Sequence, residues 1–142
     1  MDEKKQSTLR MLFKQSFAET VETTQTFQQY LEQIKFLHKY DVNDQLFIHG
    51  QNPEARYLAD FATWKKMGRQ VKHGSKAIMT LGFSNNQMMA SYYFDVNQTV
   101  GKVLDFPDYS LEEHTWPDFI TQERQDMIDS FTADLEDPFP TV

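Results

Sequence analysis

The stretch from Trp64 to Ile78 reads W-K-K-M-G-R-Q-V-K-H-G-S-K-A-I, and it separates two kinds of sequence pattern. Before it, apolar residues recur every three or four positions, the spacing of helices that bury one face. After Gly74 that period gives way to two apolar runs separated by turn residues, the pattern of a hairpin. A chain that satisfies both halves is α+β: N-terminal helices packed on a small antiparallel β-hairpin or sheet, with a further C-terminal helix. The stretch itself carries Lys65, Lys66, Arg69, Lys72 and Lys76, with His73 and no acid. Gly68 and Gly74 break any regular helix through it.

The helical half divides at its polar residues. Leu9, Leu12, Phe13, Phe17 and Val21 predict a helix over about Gln6 to Thr20. Thr23, Thr24 and Thr26 offer a break and an N-cap. A second helix is expected to reach Tyr40, with Phe27, Tyr30, Leu31, Ile34, Leu37 and His38 along one side. Asp41 then caps a short helix carrying Val42, Leu46, Phe47 and Ile48, with Gly50 as its stop and Pro53 shortly beyond. Asp60 caps another, through Phe61 and Trp64 to Gly68.

Beyond the basic stretch, Ala77–Phe83 and Met88–Val96 read as the paired strands, and Val100–Leu104 as a short third. Pro117–Phe131 reads as a helix on Phe119, Ile120, Met127, Ile128 and Phe131, and Ala133–Val142 as a frayed end. The expected organisation is an α+β domain over residues 1–104 and an acidic extension over 105–142.

Charge is divided as sharply as pattern. Met1–Lys76 holds 12 Lys+Arg against 9 Asp+Glu, a net of +3, and Ala77–Val142 holds 2 against 12, a net of −10. The overall charge of −7 therefore hides a basic region within an acidic chain. Asymmetry of this kind points to a nucleic-acid surface joined to an acidic tail. The N-terminus lacks the apolar core of a signal peptide, and no apolar run approaches the roughly 18 residues of a membrane span. With no cysteine in the chain, a cytoplasmic protein is expected.

Little in the sequence points to catalysis. Cysteine nucleophiles are excluded, and His38, His49, His73 and His114 form no metal-binding spacing. His49 near Asp44 or Glu54 reads as an ordinary, partly buried histidine. There is no phosphate-binding glycine motif, and the carboxylates define no pair. The expectation is a protein that is not an enzyme, with no metal and no cofactor.

Four ordered motifs carry a resemblance. They are Tyr40-Asp41-Val42-Asn43, Leu46 to Ala55, Trp64 to Ile78, and Phe94-Asp95-Val96-Asn97-Gln98-Thr99. Over Phe27–Thr99, about half the chain, the sequence resembles the N-terminal domain of the ArdC antirestriction family and its relatives on conjugative elements. Asp41 and Asn97 stand where that family usually has serine, and the metallopeptidase-like domain of full ArdC proteins is absent. The resemblance implies an α+β domain that binds single-stranded DNA, encoded by a mobile element, with no protease activity.

The residues fit such a ligand. Single-strand binders pair a cationic track for phosphates with aromatic faces for bases. Arg56–Lys76 holds six cations against one acid, Asp60. The candidate nucleic-acid-binding residues are Arg56, Lys65, Lys66, Arg69, Lys72 and Lys76, with Tyr57, Trp64 and Tyr93 as aromatics. Trp64 also reads as the anchor of the loop. Asn43, Gln51 and Gln98 are expected to hold loops by hydrogen bonds. The competing expectation is an acidic protein-interaction module that mimics DNA toward a restriction or DNA-processing enzyme.

Overall fold

The computed structural model of the chain describes residues 3–84, 87–107 and 120–133. It is α+β, as the change of pattern requires. Helices α1 (Glu3–Val21), α2 (Thr24–Ile34) and α3 (Val42–Gln51) come first, then strand β1 (Leu58–Ala59) and helix α4 (Phe61–Lys66). Strands β2 (Arg69–Val71), β3 (Ile78–Ser84) and β4 (Gln87–Asp95) come next. A 3-10 turn over Val96–Gln98, strand β5 (Thr99–Gly101) and helix α5 (Ile120–Ala133) complete the order.

The helix starts are where the polar residues place them. The Thr23 hydroxyl accepts from the Thr26 N–H at 3.0 Å, and the Thr26 hydroxyl accepts from the Thr23 N–H at 3.0 Å, a reciprocal cap. Asp41 accepts from the Asp44 N–H and Asp60 from the Thr63 N–H. Two helix ends differ from expectation. α2 stops at Ile34, short of Tyr40, and the chain closes instead in tight turns from Gln33 O to Phe36 N, Ile34 O to Leu37 N and Leu37 O to Tyr40 N. These turns bury the adjacent residues Phe36 and Leu37 together, which a continuous helix would point about 100° apart. Gly50 is no stop but lies inside α3, where an added Cβ would overlap the Ser16 hydroxyl of α1. Ser16 and Gly50 set the closest approach of these two helices.

The main core joins Leu9 and Phe13 of α1, Phe27 and Tyr30 of α2, Leu46 and Phe47 of α3, and Leu81 of β3. A second cluster gathers Leu37, Ile48, Ala55, Leu58 and Ile78. Both form where helices cover the apolar hairpin, and fully burying each large apolar side chain contributes roughly 1.5–3 kcal/mol.

The β half has two parts. β3 and β4 pair as the expected antiparallel hairpin, from Ile78 opposite Tyr93 to Ser84 opposite Gln87. β1 adds to the other side of β4, giving the order β1-β4-β3. The third strand, expected over Val100–Leu104, is β5 at Thr99–Gly101. It pairs not with the hairpin but with β2, inside the basic stretch read as a loop. Gly68 (φ 81°) and Gly101 (φ 135°) permit this ribbon, because a Cβ on Gly101 would press into the Gly68 carbonyl. The outer edge of β3 is closed by side chains of α3. Gln51 accepts from the Met79 N–H and donates to the Met79 carbonyl, and Asp44 accepts from the Leu81 N–H.

α5 docks on the helical layer. Its Arg124 donates to the Val21 and Glu22 carbonyls at the end of α1, and Met127 and Ile128 pack on the main core. The expected helix start at Pro117–Phe119, the turn residues Asn85 and Asn86, and the segment 134–142 lie outside the described residues. No helix among the described residues is long and apolar enough to cross a membrane.

Candidate nucleic-acid interface

The fourth motif, Phe94 to Thr99, organises the basic surface. Asp95 is 1% exposed at the end of β4. One carboxylate oxygen accepts from the Arg56 and Tyr57 N–H groups at 2.8 and 3.0 Å, and the other from the Asn97 N–H at 3.1 Å. A buried carboxylate so solvated by backbone donors ties the Arg56–Tyr57 segment to the turn that Asp95 itself caps. Gln98 adds a second clamp, accepting from the Asp95 N–H at 2.8 Å and donating to the Lys76 carbonyl at 2.7 Å. The Gln98 carbonyl accepts from the Lys72 N–H, and Lys72 Nζ donates to the Asn97 carbonyl. Lys72–Ser75 closes as a four-residue turn with Gly74 at φ 82° and open space around it. The basic turn is thus held on a ridge made by Val96–Gln98.

Two clefts border that ridge, one at Val96 and Asn97 and one at Gln98. One, about 430 Å3, is lined by Phe36, Arg56, Tyr57, Val96 and Asn97, together with Glu32 and Glu54. The other, about 640 Å3, is lined by Gln51, Asn52, Lys76, Ile78, Met79, Tyr92 and Gln98, among others, and by no carboxylate among the described residues. Tyr92 is 46% exposed, and Lys5 of α1 reaches it, donating to its hydroxyl and lying 5.8 Å from its ring centre. A third cleft, about 330 Å3, is formed by Phe61, Lys65, Arg69, Gln70 and Val71. Phe61 there is 56% exposed.

The expected site residues separate by role. Lys65, Lys66, Lys72 and Lys76 are exposed and carry positive charge on the surface. Arg56 is exposed, its guanidinium 4.6 Å from the Phe36 ring centre. Arg69 is turned inward. Its guanidinium donates to the Thr99 hydroxyl, the Thr99 carbonyl and the Lys102 carbonyl, clipping β2 to β5 and to Lys102 just past it. Trp64 is an anchor and no stacking face: it is 1% exposed, and its Nε1 donates to the Phe94 carbonyl at 2.8 Å. Tyr93 packs edge-on against Tyr40 beside the second core cluster. The open tyrosine of the hairpin is Tyr92, because neighbouring strand residues face opposite ways. Tyr57 is half-buried under Phe106.

Of the motif amides, Gln51 and Gln98 act as clamps, while Asn43 sits half-buried in the first turn of α3. Sequence reasoning passed over two more. Gln45 donates to the Leu37 and Tyr40 carbonyls and faces the Tyr30 hydroxyl. Gln33 donates to the Asn52 and Ala55 carbonyls, which turns its Oε1 to His49 at 2.6 Å. That arrangement places the proton of neutral His49 on Nδ1. Glutamine in a helical stripe reads as surface, and no local signal marks these two as buried. Lys5 was also passed over, because only the fold brings it to Tyr92, whereas Phe61 stands in the basic window but reads there only as a helix residue.

Burial tunes two groups on α3. It lowers the His49 pKa, against the opposing pull of Glu19. Burial, with the nearby charge of Asp41, pushes Asp44 up to about 6, although the Leu81 N–H works the other way. Among the described residues no three His, Asp or Glu side chains gather into a metal site. No protein-family model matches the chain, and neither a curated protein nor a solved structure matches it.

Proposed function

We propose that this chain is a non-enzymatic single-stranded DNA-binding module of the antirestriction, mobile-element type, acting in the cytoplasm. The observation that carries the proposal is the 640 Å3 cleft beside the ridge: Lys76 and Tyr92 line it, no carboxylate among the described residues does, and Lys72 sits on the adjoining turn. Its volume falls within the roughly 300–1,000 Å3 of ligand clefts. Phosphates run along Lys72 and Lys76, and a base stacks on Tyr92, each such stack contributing roughly 1–3 kcal/mol. Lys65, Lys66 and Phe61 extend the track over α4. The resemblance to the ArdC N-terminal domain supports the same reading. The test is anisotropy of a labelled single-stranded oligonucleotide with wild type and the Tyr92→Ala variant at low salt. A loss of about fivefold or more in affinity for Tyr92→Ala supports the reading, and equal affinities refute the cleft as the site.

One observation favours a second reading. On α5, Glu123, Asp126 and Asp129 are exposed at three-residue spacing along one side. An acidic helix face of this kind suits a DNA-mimicking surface toward a restriction or DNA-processing enzyme. That reading requires the chain to inhibit such an enzyme, and requires the triple variant Glu123→Gln, Asp126→Asn, Asp129→Asn to lose the inhibition.

A further inference from the structure

The segment after β5 returns to the basic surface and covers one of its aromatics. Lys102 is fixed at its start, its N–H donating to the Gly68 carbonyl and its carbonyl accepting from Arg69. Val103 is then 90% exposed. At the far end the Phe106 ring stacks on Tyr57, centres 4.6 Å apart and planes 26° apart, and meets Trp64 edge-on at 6.2 Å. The Tyr57 hydroxyl donates to the Pro107 carbonyl. Between these two attachments residues 103–107 belong to no helix or strand.

Near-parallel stacking on a tyrosine is the contact a nucleobase makes with such a ring. Phe106, itself half-exposed, makes that contact on Tyr57, a residue that also lines the cleft containing Arg56. It comes directly after an acid, Asp105, so the pair presents a negative charge beside a flat ring, the chemistry of one nucleotide. We infer that Phe106 is an internal competitor: it occupies a base-stacking position on Tyr57, and single-stranded nucleic acid must displace it. The inference rests on the DNA-binding reading and adds a second base position, masked in cis, to the open one at Tyr92. Attachment at two ends with an exposed middle makes the segment displaceable without disturbing the sheet.

The experiment measures binding of a fluorescent oligothymidylate by wild type, Phe106→Ser, Tyr57→Ala and the Phe106→Ser/Tyr57→Ala double variant, with Lys72→Glu/Lys76→Glu as control. Phe106→Ser is expected to tighten binding by about fivefold or more, and that gain is expected to vanish when Tyr57 is alanine. Phe106→Leu keeps apolar volume against Trp64 but removes the stacking ring, so it gives the same sign if the serine variant fails to fold. Unchanged affinity in folded Phe106 variants overturns the inference, as does a gain that persists without Tyr57. If wild type binds, the lysine control loses binding and the Phe106 variants match wild type, the masking falls while the DNA reading stands. If folded wild type and Phe106 variants all fail to bind, both fall together.

Discussion

Side chains that stand in for backbone partners recur throughout this chain, and they set what single substitutions do. Asp95 answers three N–H groups from 1% exposure, so Asp95→Ala strands all three. The expected loss is about 3 kcal/mol or more in denaturant unfolding, since each stranded buried donor costs roughly 1–3 kcal/mol. Asp44 gives the opposite kind of prediction. Its folded pKa, near 6, lies above its ordinary value of 3.8, so the folded state holds this proton more tightly. The stability this adds is fully present below about pH 3.8 and is lost as pH rises through about 6. Asp44→Asn is a permanent mimic of the protonated form and still accepts from Leu81. It should unfold at higher temperature than wild type at pH 7.5, with the gap closing toward pH 4. Because the group is half-exposed, the gap corresponds to at most about 1 kcal/mol. Gln51 and Gln98 were legible as loop-holding residues because they lie within ordered motifs. Gln33 and Gln45 were not, because an amide in a helix has no pattern that announces burial.

The long elements were legible, and so was the short α4 from its Asp60 cap, but the pairing of the short strands was not. Helices α1 to α3 and the β3–β4 hairpin each present enough periods for the apolar pattern to stand out. β1, β2 and β5 span two or three residues, and their pairing is decided by distant partners, so the basic stretch looked like an open loop. Two glycines test the packing of these elements. Gly50→Ala drives a methyl into Ser16 and should cost about 1–3 kcal/mol. Ser16→Gly in the same chain should recover most of the loss beyond its own helix-propensity cost of about 0.5 kcal/mol, measured by paired chemical denaturation. Gly101→Ala combines an unfavourable φ with a close carbonyl. It should open the β2–β5 ribbon, seen as faster amide exchange at Arg69–Val71, while the β3–β4 hairpin stays protected.

At the scale of the whole molecule, the uneven charge of the sequence becomes a division of surface. The basic turn sits on its ridge bordered by two clefts, and the acidic helix α5 docks on the helical layer through Arg124. The location of the basic residues and the anchoring by Trp64 were legible in the sequence, but the structural role of Arg69 was not. Arg69 and Trp64 lie in the densest part of the motif, and both are spent on structure. Lys72 and Lys76, further along the same stretch, remain on the surface. Whether that surface meets single-stranded DNA is read most directly from a salt titration of oligonucleotide binding by wild type and Lys72→Glu/Lys76→Glu. Binding to single strands should weaken linearly in log–log form as salt rises, with a slope of about −0.7 for each phosphate neutralised. The double variant should bind at least about tenfold more weakly at low salt, with the slope shallower by about 1.4. Equal affinity and equal slope for the two proteins, or no binding by folded wild type at low salt, would contradict binding through that surface.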